Sequence, residues 1–164
     1  SVAAALDTAP DGAWQVTTVE LPVPAGGPMG VDALIQFALD QGTAQVEAAG
    51  SPLNAFLVDD TGRAHFFVCL AGDGDPMEVA LRTLRTDTVR PDACALVLDT
   101  RITMRDGTKT DAILVMASRR GAPQGETWAQ AYRPKGWLRK FKVLPFREQV
   151  ATSRSLFEAA DEGR

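Results

Sequence analysis

Apolar residues recur along this chain in two rhythms. After Gly30, the residues Val31, Leu34, Ile35 and Ala38 fall at i, i+3, i+4 and i+7 and share one helical face. A first helix is predicted there, ending at Gly42 or running on through Ala44–Ala49 to the break at Gly50-Ser51-Pro52. A second helix is predicted from Asp75. Its carboxylate can cap, Pro76 suits the first helical position, and Glu78 sits three residues after the cap, as in a capping box. Met77, Ala80, Leu81 and Leu84 supply its apolar face, and Pro91-Asp92 closes the connection that follows.

The other rhythm has period two. Phe56–Val58 and Ala64–Leu70 flank Asp59-Asp60-Thr61-Gly62-Arg63, which predicts a hairpin. Cys94, Leu96, Leu98, Thr100, Ile102 and Met104 alternate along the next strand, and Asp106-Gly107 supplies turn residues. The return strand, Thr108–Ala117, holds the unbroken apolar run Ala112–Ala117, which predicts a central strand buried on both faces. Thr127–Tyr132 reads as a further strand, resumed over Trp137–Leu144 after Pro134 and Gly136. Phe146, Val150, Ser153, Leu156, Phe157 and Ala160 share one face of a predicted C-terminal helix over 146–160. Trp14–Val23 alternates only in part and is expected at most as an added edge strand.

The expected fold is α+β: one antiparallel sheet of about five strands with two to three packed helices, in the order helix, hairpin, helix, three strands, helix. Residues 1–13 read as a loose arm and 14–164 as a single domain. This element order is similar to the profilin-like and roadblock/longin layout, a resemblance of order alone. It implies dimerisation or scaffolding rather than chemistry.

Composition narrows the class. The 164 residues are 45% hydrophobic and 23% charged, enough apolar material for a folded core without a disulfide or metal staple. No apolar run approaches the roughly 18 residues of a membrane-spanning helix. Ala3-Ala4-Ala5 is too short for the apolar region of a secretion signal and has no basic segment ahead of it. Cys69 and Cys94 lie in apolar runs and read as small hydrophobes, which fits a reducing, cytoplasmic setting.

Candidate chemistry is sparse, and no catalytic set, cofactor or metal is expected. The single histidine, His65, lies too far along its strand to touch Cys69, though Cys94 on a neighbouring strand could approach it. The acids Asp59-Asp60 and Asp73-Gly74-Asp75 sit where turns and caps use Asp. Asp99 and Asp111 each lie in a largely apolar strand, and Asp111 can pair with Arg101 across the sheet. Phosphate-cradling glycine loops and the Gly-x-Ser-x-Gly elbow are absent from the sequence.

Charge changes the picture more. Residues 1–100 hold 14 acids and 4 bases, a net of −10, whereas residues 101–164 hold 7 acids and 13 bases, a net of +6. Eight of those bases fall within 119–147 beside a single acid, Glu126. Trp128, Tyr132, Trp137 and Phe141 are interleaved with them. Arg119, Arg120, Arg133, Lys135, Trp137, Arg139, Lys140 and Lys142 are the candidate binding residues, since cations neutralise phosphates and aromatic faces stack on bases. The bland alternative packs Trp137 and Phe141 in the core of a half-buried strand and leaves the lysines solvated. The leading expectation is a non-catalytic interaction or regulatory domain that self-associates, a homodimer or the partner of another protein. A weak nucleic-acid or polyanion binder and a small carboxylate-dependent enzyme (His65, Asp99 and Asp111) are the alternatives.

Overall fold

The computed structural model describes residues 5–8, 13–24, 27–70 and 74–163. Eight strands, seven without the short first one, make one antiparallel sheet in the order β1-β2-β4-β3-β5-β6-β7-β8. They are β1 (Ala5–Thr8), β2 (Trp14–Glu20), β3 (Phe56–Asp59), β4 (Arg63–Cys69), β5 (Ala93–Thr103), β6 (Lys109–Arg119), β7 (Gln124–Arg133) and β8 (Lys142–Arg154). Three helices pack on them: α1 (Val31–Ala49), α2 (Pro76–Thr86) and α3 (Leu156–Glu162).

The expected sheet of about five strands is therefore too small, and the surplus comes from both ends of the chain. At the front, β2 is an interior strand, flanked by β1 on one side and β4 on the other. Of the stretch read as an arm, Ala5–Thr8 form β1, while residues 1–4 and 9–12 lie outside the described residues. At the back, the helix expected over 146–160 is mostly strand. β8 takes 142–154, and only Leu156–Glu162 is helical, started by Ser155, whose Oγ accepts from Phe157 N at 3.2 Å. The apolar spacing of 146, 150 and 153 suits a helix. The β7 backbone nevertheless offers a ladder, and β8 fills it from Gln124↔Arg154 to Arg133↔Lys142, with two register shifts. Pro145 fits because β8 is an edge, where a missing N–H goes unmissed. The strand expected over Trp137–Leu144 is also corrected: residues 134–141 form the loop between β7 and β8. With β1, β2 and β8 added, the profilin-like and roadblock/longin order is not reproduced.

Local signals were stronger elsewhere. Asp75 caps α2, its Oδ1 accepting from Met77 N at 3.0 Å, with Pro76 behind it. Asp106 Oδ1 accepts from Thr108 N at 2.8 Å, and Gly107 takes φ +86°, the left-handed conformation that a glycine adopts without strain. The Asp99-to-Ala117 meander pairs as the alternation requires, with Arg101 opposite Asp111.

The two sheet faces are covered unequally. On one face α1 buries Leu34, Ile35, Ala38, Leu39 and Val46 against Phe56, Val58, Ala95, Val97, Ile113, Val115 and Tyr132. Gly42 lets the helix in close: a Cβ there would lie 2.6 Å from Ile113 Cγ2. On the other face, α2 and α3 join Trp14, Leu57, Phe67, Cys94 and Leu96 in a second core. That core ends at Leu98 and Met116, which are only partly buried. Ile102, Leu114 and Phe146 belong to neither core. The expectation that Ala112–Ala117 is buried on both faces is thus half met. β6 is interior, but Leu114 looks out beyond the second core and Met116 is only half-buried at its margin.

Candidate functional site

Two surfaces and two polar clusters carry the features from which function can be built. The first surface is the uncovered sheet face. Strand register places Leu98 beside Leu114 and Ala129, and Thr100 beside Ala112 and Ala131. Glu148 follows Ala129 on β8, and Phe146, two residues before it, points to the same side. Ala112, Ala129 and Ala131 are fully buried, while the larger Leu98, Leu114, Met116 and Phe146 around them are half-buried. The relief is a floor of small residues framed by apolar ridges. β8 borders it with a backbone edge of 13 residues that pairs only with β7.

The second surface is the β7–β8 loop. Gly136 N donates to Arg139 O at 2.9 Å, which pinches the chain and leaves Trp137 and Leu138 at the apex. Arg133 Nη2 donates to Lys140 O at 3.3 Å, and Phe141 turns inward against Tyr132, ring centres 5.8 Å apart. Trp137 is 96% exposed and Leu138 84%. The core-packing account therefore holds for Phe141 and fails for Trp137. Alternation along a strand cannot bury Trp137, because its segment is not a strand.

The candidate binding residues divide into two groups. Arg119 and Arg120 end β6, next to the start of β7, whereas Arg133, Lys135, Trp137, Arg139, Lys140 and Lys142 lie at the other end of β7. A strand of ten residues separates them, roughly 30 Å. Arg120 is occupied structurally: Nε donates to Pro91 O at 2.9 Å and the guanidinium lies 4.4 Å over the Phe157 ring. Arg119 is exposed. The remaining six lie in the β7–β8 loop or at the strand ends beside it. Arg133, Lys135 and Arg139 also line a cavity of about 440 Å³ with Lys109, Asp111 and Tyr132.

Of the polar clusters, the first gathers Asp99. Its carboxylate accepts from Leu53 N at 2.8 Å, from Ser51 Oγ at 3.2 Å and from Tyr132 Oη at 2.7 and 2.8 Å. The Ser51 and Tyr132 hydroxyls also lie 2.9 Å apart. Burial pushes the Tyr132 phenol up, and the Asp99 bond and charge add to the rise against an opposing bond from Ser51. Both Asp99 oxygens are thereby engaged. The group acts as a clasp that holds the α1–β3 connection on the sheet. Asp111 stands nearby with Arg101 Nε at 3.5 Å, as the cross-sheet pairing predicted.

The second cluster surrounds His65, which is buried. Its Nδ1 lies 2.8 Å from Thr18 Oγ1 and its Nε2 3.4 Å from Asp87 Oδ2. Arg63 Nη1 reaches the same oxygen at 2.6 Å. Burial lowers the His65 pKa, the Arg63 charge lowers it further, and Asp87 only partly offsets them. Asp87 is pulled up by burial, but the Arg63 bond, the Val89 N–H and the Arg63 charge outweigh that and hold it below the usual carboxylate range. Neutral His65 therefore bridges β2, β4 and the end of α2. Sequence spacing gave no sign of this set, because Thr18 and His65 are 47 residues apart. Cys94 is fully buried and its thiol is pushed up by that burial, so it is poor in thiolate. His65, Asp99 and Asp111 do not converge: the two acids flank Tyr132 on the α1 face, and His65 sits on β4 with Asp87.

No family model matches the chain, and no curated protein or solved structure matches it. None of the described helices is long and apolar enough to cross a membrane.

Proposed function

We propose that the protein is a non-catalytic interaction module that self-associates through the uncovered half of its sheet. The observation that carries this reading is the cluster of half-buried Leu98, Leu114, Met116 and Phe146, which stand around the fully buried Ala112, Ala129 and Ala131. Apolar surface left outside both cores gains free energy when removed from water, at about 25 cal/mol per Å². Two copies related by a two-fold axis can pack these half-buried apolar side chains against each other, as in sheet-on-sheet packing about 10 Å apart. The backbone edge of β8 runs beside the same face and offers unpaired N–H and C=O groups to a partner.

The test is the mass in solution at micromolar concentration, by light scattering coupled to size exclusion. A species of twice 17.5 kDa is expected. The double variant Leu114→Lys/Phe146→Lys is expected to run as a monomer with its thermal transition retained. A wild-type chain seen only at 17.5 kDa, or a dimer untouched by the double variant, overturns the reading.

A further inference from the structure

We infer that the β7–β8 loop docks on an anionic phospholipid surface, with Trp137 and Leu138 entering the interface and the surrounding cations meeting lipid phosphates. Three observations meet at this loop. The two most exposed large apolar side chains described are neighbours at its apex, Trp137 at 96% and Leu138 at 84%. Between residues 133 and 142 there are five bases and no acid: Arg133, Lys135, Arg139, Lys140 and Lys142. Beneath the apex lies the cavity of about 440 Å³ lined by Lys109, Arg133, Lys135 and Arg139, in which only Asp111 opposes the positive charge.

The apolar pair decides between lipid and nucleic acid. A tryptophan suits either ligand, since it stacks on bases and also settles at the headgroup level of a bilayer. Leu138 has no ring with which to stack, and its exposure beside Trp137 makes a compact apolar tip rather than an extended stacking platform. Such a tip inserts at the boundary of headgroups and acyl chains, while a basic collar holds it there by attraction to anionic lipid. The apex is also pre-shaped. The Gly136–Arg139 hydrogen bond and the inward Phe141 fix the turn before any ligand arrives, so little ordering entropy is lost on docking. The inference does not depend on self-association, since one loop holds the whole site.

The experiment is vesicle co-sedimentation in about 0.1 M salt, comparing pure phosphatidylcholine with a 7:3 phosphatidylcholine–phosphatidylserine mixture. A fluorescent single-stranded oligonucleotide is titrated in parallel. Binding to the anionic vesicles, little to the neutral ones, and loss with rising salt are expected. Trp137→Ser/Leu138→Ser is expected to weaken partitioning at least tenfold. Lys135→Gln/Lys140→Gln/Lys142→Gln is expected to reduce both binding and its salt dependence. Both variants change only exposed side chains, and unchanged thermal transitions confirm that they fold. No retention on anionic vesicles overturns the inference. So does vesicle binding that the apex variant leaves intact, or oligonucleotide binding without vesicle binding.

Discussion

The two faces of the β5–β6–β7 meander have the same backbone and opposite fates. On one, α1 lies across the strands, brought close by Gly42, and Val97, Ile113 and Val115 are sealed. On the other, Leu98, Leu114 and Met116 alternate with those residues along the same strands and stay half-open. Side-chain hydrophobicity does not distinguish them, since leucine stands where isoleucine and valine stand opposite. Helix placement does. α2 and α3 are short and are anchored over β2, β3, β4, the start of β5 and the end of β6, so their cover runs out before the strands do. Apolar character in a strand thus reports that a residue can be covered, and the connections decide by what.

Truncation on each face separates the two most strongly. Ile113→Ala, under α1, is expected to cost about 2–5 kcal/mol in urea unfolding, because it opens a cavity in a closed core. Leu114→Ala, its neighbour on the open face, is expected to cost markedly less in the monomer. Equal losses would mean that the open face is as well packed as the closed one.

Next in size is the fit of α1 itself. Gly42→Ala forces a Cβ against Ile113 Cγ2 and within 3.2 Å of Val97 Cγ1. Overpacking of this kind costs about 1–3 kcal/mol. Combined with Ile113→Ala, the same change is expected to cost much less, since the clashing methyl is gone. A double-mutant cycle in which the two penalties simply add would show that the close approach at Gly42 is not the cause.

The smallest expected effect concerns pH. Because the folded His65 pKa lies below its ordinary value, the unfolded chain takes up that proton first as pH falls. Its contribution is fully present above the unfolded pKa near 6.5 and is lost as pH falls through the folded value. Asp60 acts in the opposite sense. Burial and the neighbouring Asp59 raise its pKa, so its protonation under acid conditions favours the fold. Thermal melts are expected to shift downward between pH 7.5 and 5.5, with a shallower slope in His65→Gln. Parallel slopes would show that neutral His65 is not what the Thr18–Asp87 bridge depends on.

Much of the centre was legible from sequence, for a local reason. Asp75-Pro76 and Asp106-Gly107 act within a few residues, so their cap and turn do not depend on the rest of the chain. The ends were not. Val150 and Ser153 satisfy a helical face and an edge strand alike, and the free ladder of β7 chose the strand. The alternative that packs Trp137 in a core requires its segment to be a strand, whereas residues 134–141 form a loop. The basic residues stand out as a composition feature, but their order along the chain does not show that the length of β7 separates Arg119 and Arg120 from the other six. The Asp99 clasp left no trace, since Ser51, Leu53 and Tyr132 meet only once α1 and the meander are assembled.

Arg147 gives the edge strand a mechanical character. From β8 its Nε donates to Gln130 Oε1 at 2.5 Å, Nη1 to Gln36 Oε1 at 3.1 Å and Nη2 to Asp40 Oδ1 at 2.7 Å. One side chain therefore rivets the outermost strand to its neighbour and to the helix above. Separating β8 from β7 at Arg147 therefore also breaks its contacts with Gln36 and Asp40 on α1.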